Sequence, residues 1–150
     1  EYKKLQPSEE KKTGYERVSK SDIYFYTYPS GCVETTCEAC YDIDDKCYES
    51  ANYYSDKTVA ENNTRADKLM RQLRRFSVEH RECGVNLNNA NTGKYYVWYN
   101  YGSAELGVSS VFWSKVFGVI YFDSKETADA AIDEFHDELI WYFTEYKDSL

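Results

Sequence analysis

The chain lacks several features that define large classes of protein. Its longest apolar run, VFGVIYF at 116–122, is far too short to cross a bilayer, and no glycine-rich phosphate loop is present. It has only two histidines, and no Ser-His-Asp or Cys-His arrangement can be assembled around either of them. We therefore expect neither a membrane protein nor an enzyme.

Basic residues are also scarce. The chain has 18 Lys and Arg against 26 Asp and Glu, and the net charge of -8 argues against general affinity for nucleic acids or anionic membranes. The charge is unevenly distributed, because residues 57–82 hold seven basic and four acidic side chains whereas residues 121–150 hold two basic and nine acidic ones. We expect a molecule with a basic and an acidic pole.

Aromatic residues, by contrast, are abundant, and 16 of them are tyrosines, which suit half-buried strands and contact surfaces. Two stretches, SDIYFYTY at 21–28 and KYYVWYNYG at 94–102, carry aromatic side chains on both alternating faces. Helices that cover one face of a sheet need apolar side chains on that face only, and Phe25 and Trp98 are the more apolar choice for it. The opposite face then presents a patch that we predict to bind a partner: Tyr24, Tyr26, Tyr28, Tyr95 and Tyr99.

One segment of the chain recurs later in it. ANYYSDKTVAEN at 51–62 aligns without a gap on VIYFDSKETADA at 119–130, so that Tyr53-Tyr54 falls on Tyr121-Phe122. In both copies a Ser-Asp or Asp-Ser pair caps a helix whose apolar residues recur at three and four positions. This order indicates an internal duplication. It predicts an α+β fold in which two tandem β-β-β-α repeats form an antiparallel sheet packed with two helices.

The duplication also predicts how the chain is divided. Residues 1–14 are polar and charged and are predicted to form a flexible tail, and the Asn-rich segment 84–93 is predicted to be a linker. The first repeat then occupies residues 15–83 and ends in a basic amphipathic helix. The second occupies residues 94–150 and ends in an acidic amphipathic helix.

Two less regular segments complete the predicted repeats. CVETTCEACYDIDDKCYESANYY at 32–54 is interpreted as one or two short strands of the first repeat. AELGVSS at 104–110 and VFGVIYF at 116–122 are interpreted as further strands of the second repeat.

A basic stripe lies along the first of the two predicted helices. Its members crowd one stretch of a protein that is otherwise acidic. Such a stripe can contact the phosphates of a nucleic acid or a nucleotide, and it can equally pair with acidic residues of the second helix, inside the fold or across a homodimer. The candidate phosphate contacts are Arg65, Lys68, Arg71 and Arg75.

The spacing of four cysteines is compatible with a metal site. Cys32, Cys37, Cys40 and Cys47 form C-x4-C-x2-C-x6-C, in which the central C-x2-C is a usual zinc-knuckle spacing. No second C-x2-C is present, and disulfides are disfavoured in a cytoplasm. Ordinary free thiols are the favoured interpretation, with zinc and disulfides as alternatives, and we expect no cofactor.

Three stretches resemble a known group of proteins. ANYYSDKTVAENNTRADKLMRQLRRFSVEH, KYYVWYNY and GVIYFDSKETADAAIDEFHDELIWYFTEY are similar to small hypothetical proteins of phages and prophages of Gram-positive bacteria. In that group an aromatic hairpin precedes an IYF-S-K-E-x-A helix start and a DEL helix body. The resemblance covers roughly residues 15–147. This sequence departs from the group at the cysteines between 32 and 47, where the relatives usually carry Asp, Asn, Thr and Tyr.

The resemblance implies a phage-type protein that works in the cytoplasm of a bacterial host. Together with the acidic pole, the surplus of tyrosine and the lack of catalytic signatures, it leads us to expect a non-enzymatic protein that binds and inhibits or modulates a host protein, such as an anti-defence (anti-CRISPR-like) inhibitor. The alternative is a nucleic-acid or nucleotide-binding module that uses the basic stripe. Steep loss of affinity with salt would distinguish the second function from the first.

Overall fold

The computed structural model describes residues 11–150, and within them it shows an α+β fold with four helices and two antiparallel two-stranded sheets. The α+β class predicted from the sequence is confirmed. In chain order the elements are β1 (Ile23–Thr27), β2 (Val33–Cys37), α1 (Asp42–Glu49), α2 (Lys57–Glu79), β3 (Lys94–Asn100), β4 (Glu105–Val111), α3 (Lys125–Glu134) and α4 (His136–Thr144).

The chain divides into two units, each of which is described by itself. Unit 1 consists of the chain up to Arg65 together with Lys147–Leu150, and unit 2 consists of Ala66–Tyr146. The division falls inside α2 and not in the predicted linker at 84–93. The first turns of this helix therefore belong to unit 1, and the remaining turns belong to unit 2.

In unit 1 both faces of β1 are covered. Tyr24 stacks on Tyr53 with ring centroids 3.9 Å apart, and its hydroxyl donates a hydrogen bond to Asp44 of α1 at 2.8 Å. Phe25 points to the opposite face, since side chains alternate along a strand. The core on the Phe25 face consists of Tyr54, Val59 and Ala60, with Tyr15, Phe25 and Val33 packed against it.

The first described residues also belong to the packed part of unit 1. Gly14 is buried, and its carbonyl accepts a hydrogen bond from the amide of Ser55 at 2.8 Å. Its φ is +92°, and a Cβ added here would lie 2.7 Å from Val59, so this position requires glycine. Residues 1–10 of the predicted tail lie outside the described residues.

In unit 2 the β3–β4 hairpin packs one face against the helices. Its register sets Val97 opposite Val108 and Tyr99 opposite Leu106, and Tyr99 stacks on Phe143 of α4. These cross-strand pairs form apolar rows on the covered face, which is how a sheet buries one side. The buried core against which they pack consists of Leu69, Leu73, Phe76, Phe122, Ala128, Ala131 and Leu139.

The predicted helix starts are confirmed. Asp56 Oδ1 accepts the amide of Val59 at 2.9 Å before α2, and Ser124 Oγ accepts the amide of Thr127 at 3.1 Å before α3. The second predicted helix is interrupted at Phe135, whose φ of -108° and ψ of 21° depart from helical values. It therefore forms two helices, α3 and α4.

The predicted tandem three-strand repeats are not shown. Each hairpin has two strands, and where a third strand is predicted there is a single bridged residue. Tyr54 pairs with Phe25 in this way, and Phe122 pairs with Tyr95. The two hairpins form separate two-stranded sheets within the described residues, and not the common sheet that the duplication predicts.

Local turns and polar contacts explain why the missing strands do not form. In the VFGVIYF segment, Gly118 has a φ of +82° and the amide of Val119 bonds back to the carbonyl of Val116, so the chain turns. In segment 32–54, Asp44 accepts the amides of Ala39 and Tyr41 and so fixes the start of α1. This segment therefore contains β2 and a short helix.

Candidate functional site

The predicted tyrosine patch is only partly accessible in unit 1. Tyr24 is 1% exposed, whereas Tyr26 is half-buried and Tyr28 is 49% exposed. The expectation that Tyr24 lies on an open face is wrong, because Tyr53 and α1 cover that face of β1. Phe25 packs against α2 as predicted. The partner contacts assigned to Tyr26 and Tyr28 stay predictions.

In unit 2 the predicted orientation of β3 is reversed. Tyr95 and Tyr99 face the helices, whereas Trp98 lies on the opposite face above Gly107, where an added Cβ would be 2.3 Å from the indole ring. The cross-strand partners explain the reversal, since β4 presents Leu106 opposite Tyr99 but only Gly107 opposite Trp98. Tyr95 and Tyr99 are consequently half-buried.

The Tyr24 face of β1 holds a buried polar network. The Glu38 carboxylate accepts hydrogen bonds from the Arg17 guanidinium at 3.0 and 3.2 Å and from the Tyr53 hydroxyl at 2.8 Å. The bonds from Arg17 are the main reason that the pKa of Glu38 is lowered to about 2. Burial raises the pKa of Tyr53 to about 12, and burial together with the bond to Asp44 raises the pKa of Tyr24. These groups satisfy one another, so we interpret the network as structural.

Two carboxyl groups of unit 1, that of Glu38 in this network and that of Glu16 outside it, predict a loss of stability in acid. The pKa values of Glu38 and of Glu16, which accepts the amide of Thr13, are both lowered from 4.5 to about 2. Such carboxyls stabilise the fold only while ionised, so their contribution is complete above about pH 4.5 and is lost as the pH falls through about 2. The thermal unfolding midpoint, followed by circular dichroism, should fall over this range. Glu38→Gln should flatten the dependence, and an unchanged slope in that variant would contradict the assignment.

The basic stripe of α2 is on the surface. Lys68, Arg71 and Arg75 are exposed residues of unit 2, and Arg75 lies 4.0 Å from Glu79 one turn further along the helix. Arg65 is exposed too and belongs to unit 1. The contact of these four residues with phosphate stays a prediction.

The four candidate zinc ligands are not brought together. All five cysteines are free. Cys32 directly precedes β2 and Cys37 is its last residue, so these two positions are about 17 Å apart at the usual strand rise. Cys47 lies on α1. Within residues 11–150, no group of three or more His, Cys, Asp or Glu side chains could hold a metal ion. This placement contradicts the zinc alternative.

A loop of unit 2 exposes four large apolar side chains within seven residues. This segment, FWSKVFG at 112–118, is named the aromatic loop. Trp113 is 85% exposed, Phe117 is fully exposed, and Phe112 and Val116 are exposed as well. Single exposed apolar residues are common, but a cluster of them marks an interaction site. Sequence reasoning missed this loop because it assigned VFGVIYF to a strand.

The aromatic loop is attached to β3 through a buried lysine. Lys94 is 3% exposed, and its Nζ donates hydrogen bonds to the carbonyls of Asn89 at 2.9 Å, Thr92 at 3.0 Å and Phe112 at 2.5 Å. Three carbonyl oxygens thus satisfy the three donors of an ammonium group that would be costly to bury unpaired. The bond to Phe112 fixes the first residue of the aromatic loop.

A polar pocket lies beside the aromatic loop in unit 2. It has a volume of about 360 Å³, and its lining includes Arg74, Ser77, Arg81 and Lys115. None of the described Asp or Glu residues is among the lining residues. Arg74 and Arg81 belong to the basic stretch noted in the sequence, but neither is a predicted phosphate contact. The pocket could not be found from spacing alone, because its third cation comes from the aromatic loop.

No known family model matches the chain. Comparisons with curated proteins and with solved structures likewise give no match. The resemblance to phage and prophage proteins therefore depends only on the sequence stretches quoted above and stays a hypothesis.

Proposed function

We propose that the protein is a non-enzymatic interaction protein that binds another protein through the aromatic loop. The observation that supports this is the joint exposure of Phe112, Trp113, Val116 and Phe117 on one loop. Aromatic side chains are enriched in the centres of protein interfaces and at their energetic hot spots, because they bury much area at little conformational cost.

A protein partner suits this surface better than a membrane. The net charge of -8 repels anionic lipid headgroups, and no helix in the described part of the chain is long and apolar enough to cross a bilayer. Ser114 and Lys115, within the loop, and Asn88, whose side chain accepts a hydrogen bond from Lys115, supply polar groups next to the apolar ones. An apolar centre with a polar rim is the usual composition of a protein interface.

We further propose that the partner is a protein of a bacterial host and that binding inhibits or modulates it. The resemblance to phage and prophage proteins supports this assignment, with action in the host cytoplasm as an anti-defence (anti-CRISPR-like) factor. The acidic segment 121–150 would attract a basic partner, such as a protein that binds nucleic acid, and speed its encounter. Tyr26 and Tyr28 remain candidates for additional contacts, and a second copy of the chain is the alternative partner.

The proposal is tested by photo-crosslinking and reconstitution. A photoreactive phenylalanine analogue replaces Phe117, the protein is exposed to a Gram-positive lysate, and the captured protein is purified. Isothermal titration should then show that Trp113→Ser with Phe117→Ser weakens binding by about 100-fold or more, because two hot-spot side chains are lost. The unfolding midpoint should hardly change, since both side chains are exposed.

A matched control distinguishes the loop from exposed apolar residues in general. Tyr41→Ser with Ile43→Ser removes two large exposed side chains from unit 1 and should leave binding unchanged. Equal affinity of the loop variant and the wild type would reject the proposal. Flotation with vesicles would reject it in favour of a membrane surface, and crosslinking only to further copies of the chain would reject the host protein in favour of a homodimer.

Nucleic-acid or nucleotide binding by the basic stripe is the second candidate. The exposure of Lys68 and Arg71 on α2 favours it. In that case affinity should fall steeply with salt, and Lys68→Gln with Arg71→Gln should remove binding while the loop variant retains it.

A further inference from the structure

We propose that the polar pocket of unit 2 is a binding site for a phosphate group, either free or at the end of a small phosphomonoester. Arg74, Arg81 and Lys115 bring three positive charges to a pocket of about 360 Å³ that no acidic side chain of residues 11–150 lines. The pocket is therefore positively charged in a chain whose net charge is -8. Guanidinium groups fit the geometry of phosphate oxygens, and two of them with an ammonium group match a dianion.

Arg81 is held at the pocket by Ser77. The Arg81 Nη2 donates to the Ser77 hydroxyl at 3.2 Å, and this hydroxyl donates its own hydrogen to the carbonyl of Tyr121 at 2.5 Å. The Nε of Arg81 is buried and has no hydrogen-bond partner within residues 11–150. A buried donor without an acceptor is costly, and a phosphate oxygen would satisfy it once the guanidinium turns this edge toward the pocket.

Lys115 reaches the pocket from the aromatic loop. Its Nζ donates to the side-chain oxygen of Asn88 at 2.7 Å, which orients the ammonium group and leaves two of its three hydrogens for a ligand. The amide of the next residue, Val116, donates to the hydroxyl of Tyr121 at 2.7 Å. The backbone beside Lys115 is therefore fixed before a ligand binds, which lowers the entropic cost of binding.

The remaining lining suggests what accompanies the phosphate. Val85, Val119 and Ile120 give the pocket apolar walls. Its volume is at the lower end of the range for small-molecule sites, which is about 300–1,000 Å³. A phosphate carrying a small organic group, as in a nucleoside 5′-monophosphate, would use both the cations and the apolar walls.

Asp123 is an acidic residue whose side chain is hydrogen-bonded to the backbone next to Arg81. Its Oδ2 accepts the amide of Glu82 at 2.9 Å, and its Oδ1 is buried and has no hydrogen-bond partner among the described residues. If Arg81 paired with Asp123 in solution, part of the positive charge of the pocket would be neutralised. Anions would then bind the pocket no better than they bind exposed arginines of α2.

The test is a titration of the full chain followed by nuclear magnetic resonance. Inorganic phosphate and adenosine 5′-monophosphate are added separately at constant ionic strength, and the arginine Nε–Hε signals and the amides of Asn86 and Asn88 are monitored. A saturable shift of the Arg81 signal is expected. Arg81→Gln and Lys115→Gln should each weaken binding by about tenfold or more, because each removes a charge-assisted hydrogen bond. Lys57→Gln makes the same change of charge at an exposed lysine of α2 outside the candidate phosphate contacts and should have no effect.

The outcomes of the titration identify the ligand or reject the proposal. Tighter binding of the nucleotide would identify a phosphomonoester as the ligand, and equal binding of both probes would identify the phosphate group alone. The proposal fails if no shift saturates, if Lys57→Gln weakens binding as much as Lys115→Gln, or if Asp123→Asn strengthens it tenfold by releasing Arg81. If Arg81→Gln does not fold, Lys115→Gln still tests the proposal, because Lys115 is an exposed residue whose replacement should not affect folding. Phosphate binding by the polar pocket does not depend on the partner of the aromatic loop. Trp113→Ser with Phe117→Ser should therefore leave phosphate binding intact.

Discussion

Phe122→Ala should lower the free energy of unfolding by about 3–5 kcal/mol. Phe122 is 1% exposed and belongs to the core of unit 2 with Leu69, Leu73 and Leu139. Its backbone also exchanges hydrogen bonds with Tyr95, at 2.7 and 2.9 Å. Truncation would therefore leave a cavity beside a hairpin that cannot easily collapse into it. Urea unfolding followed by fluorescence measures the loss.

A matched control for Phe122→Ala is available five residues earlier in the chain. Phe117→Ala makes the same chemical change at a fully exposed position of the aromatic loop, and we expect it to alter stability by no more than about 0.5 kcal/mol. A loss of less than about 1 kcal/mol for Phe122→Ala would show that this position is not part of the core.

Arg17→Met should lower the thermal unfolding midpoint by roughly 10 °C. The substitution keeps the apolar stem of Arg17 but leaves the buried carboxylate of Glu38 without its cation, while the bond from Tyr53 remains. An uncompensated buried charge is far more destabilising than the loss of a surface ion pair. Differential scanning calorimetry at neutral pH measures the shift.

Two variants separate this charge effect from packing. Adding Glu38→Gln to Arg17→Met removes the stranded charge and should restore part of the midpoint. Lys46→Met breaks the exposed pair of Lys46 with Asp42 on α1 and should change the midpoint by no more than a few degrees. If Arg17→Met lowered the midpoint by no more than Lys46→Met does, the buried pair would have no stabilising role. Failure of the double variant to recover any of the midpoint would contradict that role as well.

The helix starts could be predicted from the sequence because their causes are local. Asp56 and Ser124 cap the amides three residues later, and the apolar spacing that follows each cap identifies the helix. α1 could not be predicted in this way. It is short and acidic, and its contacts with the rest of unit 1 are distant in sequence, such as the hydrogen bond from Tyr24 to Asp44 and the ion pair of Arg17 with Asp45.

The orientation of β3 shows what a single aromatic strand leaves undecided. Both faces of KYYVWYN carry rings, so the choice between Tyr99 and Trp98 for the covered face depends on the neighbouring strand. The sequence of β4 does contain the signal, because Leu106 and Val108 alternate with Gly107. The prediction placed Trp98 toward the helices because it is less polar than Tyr95 and Tyr99. This prediction was wrong, since the side chains that pair across the hairpin outweigh the difference in polarity.

The candidate sites were the least predictable part of the molecule. The aromatic loop forms because Gly118 turns the chain in the middle of an apolar run, and a run of that kind is also typical of a strand. The polar pocket combines the turn that follows α2, the Asn-rich connector and the aromatic loop, which carry Arg81, Asn88 and Lys115. Only the folded chain brings these three segments together.

The accessible thiols have a consequence for the chemistry of the whole molecule. Cys32, Cys37, Cys40 and Cys83 are exposed and free, so no internal disulfide protects them from other chains. In air-oxidised solution, copies would become covalently linked through their surfaces, and an apparent dimer would record oxidation and not recognition. A reducing environment such as a cytoplasm keeps the four thiols reduced, and self-association measured there reports non-covalent contacts.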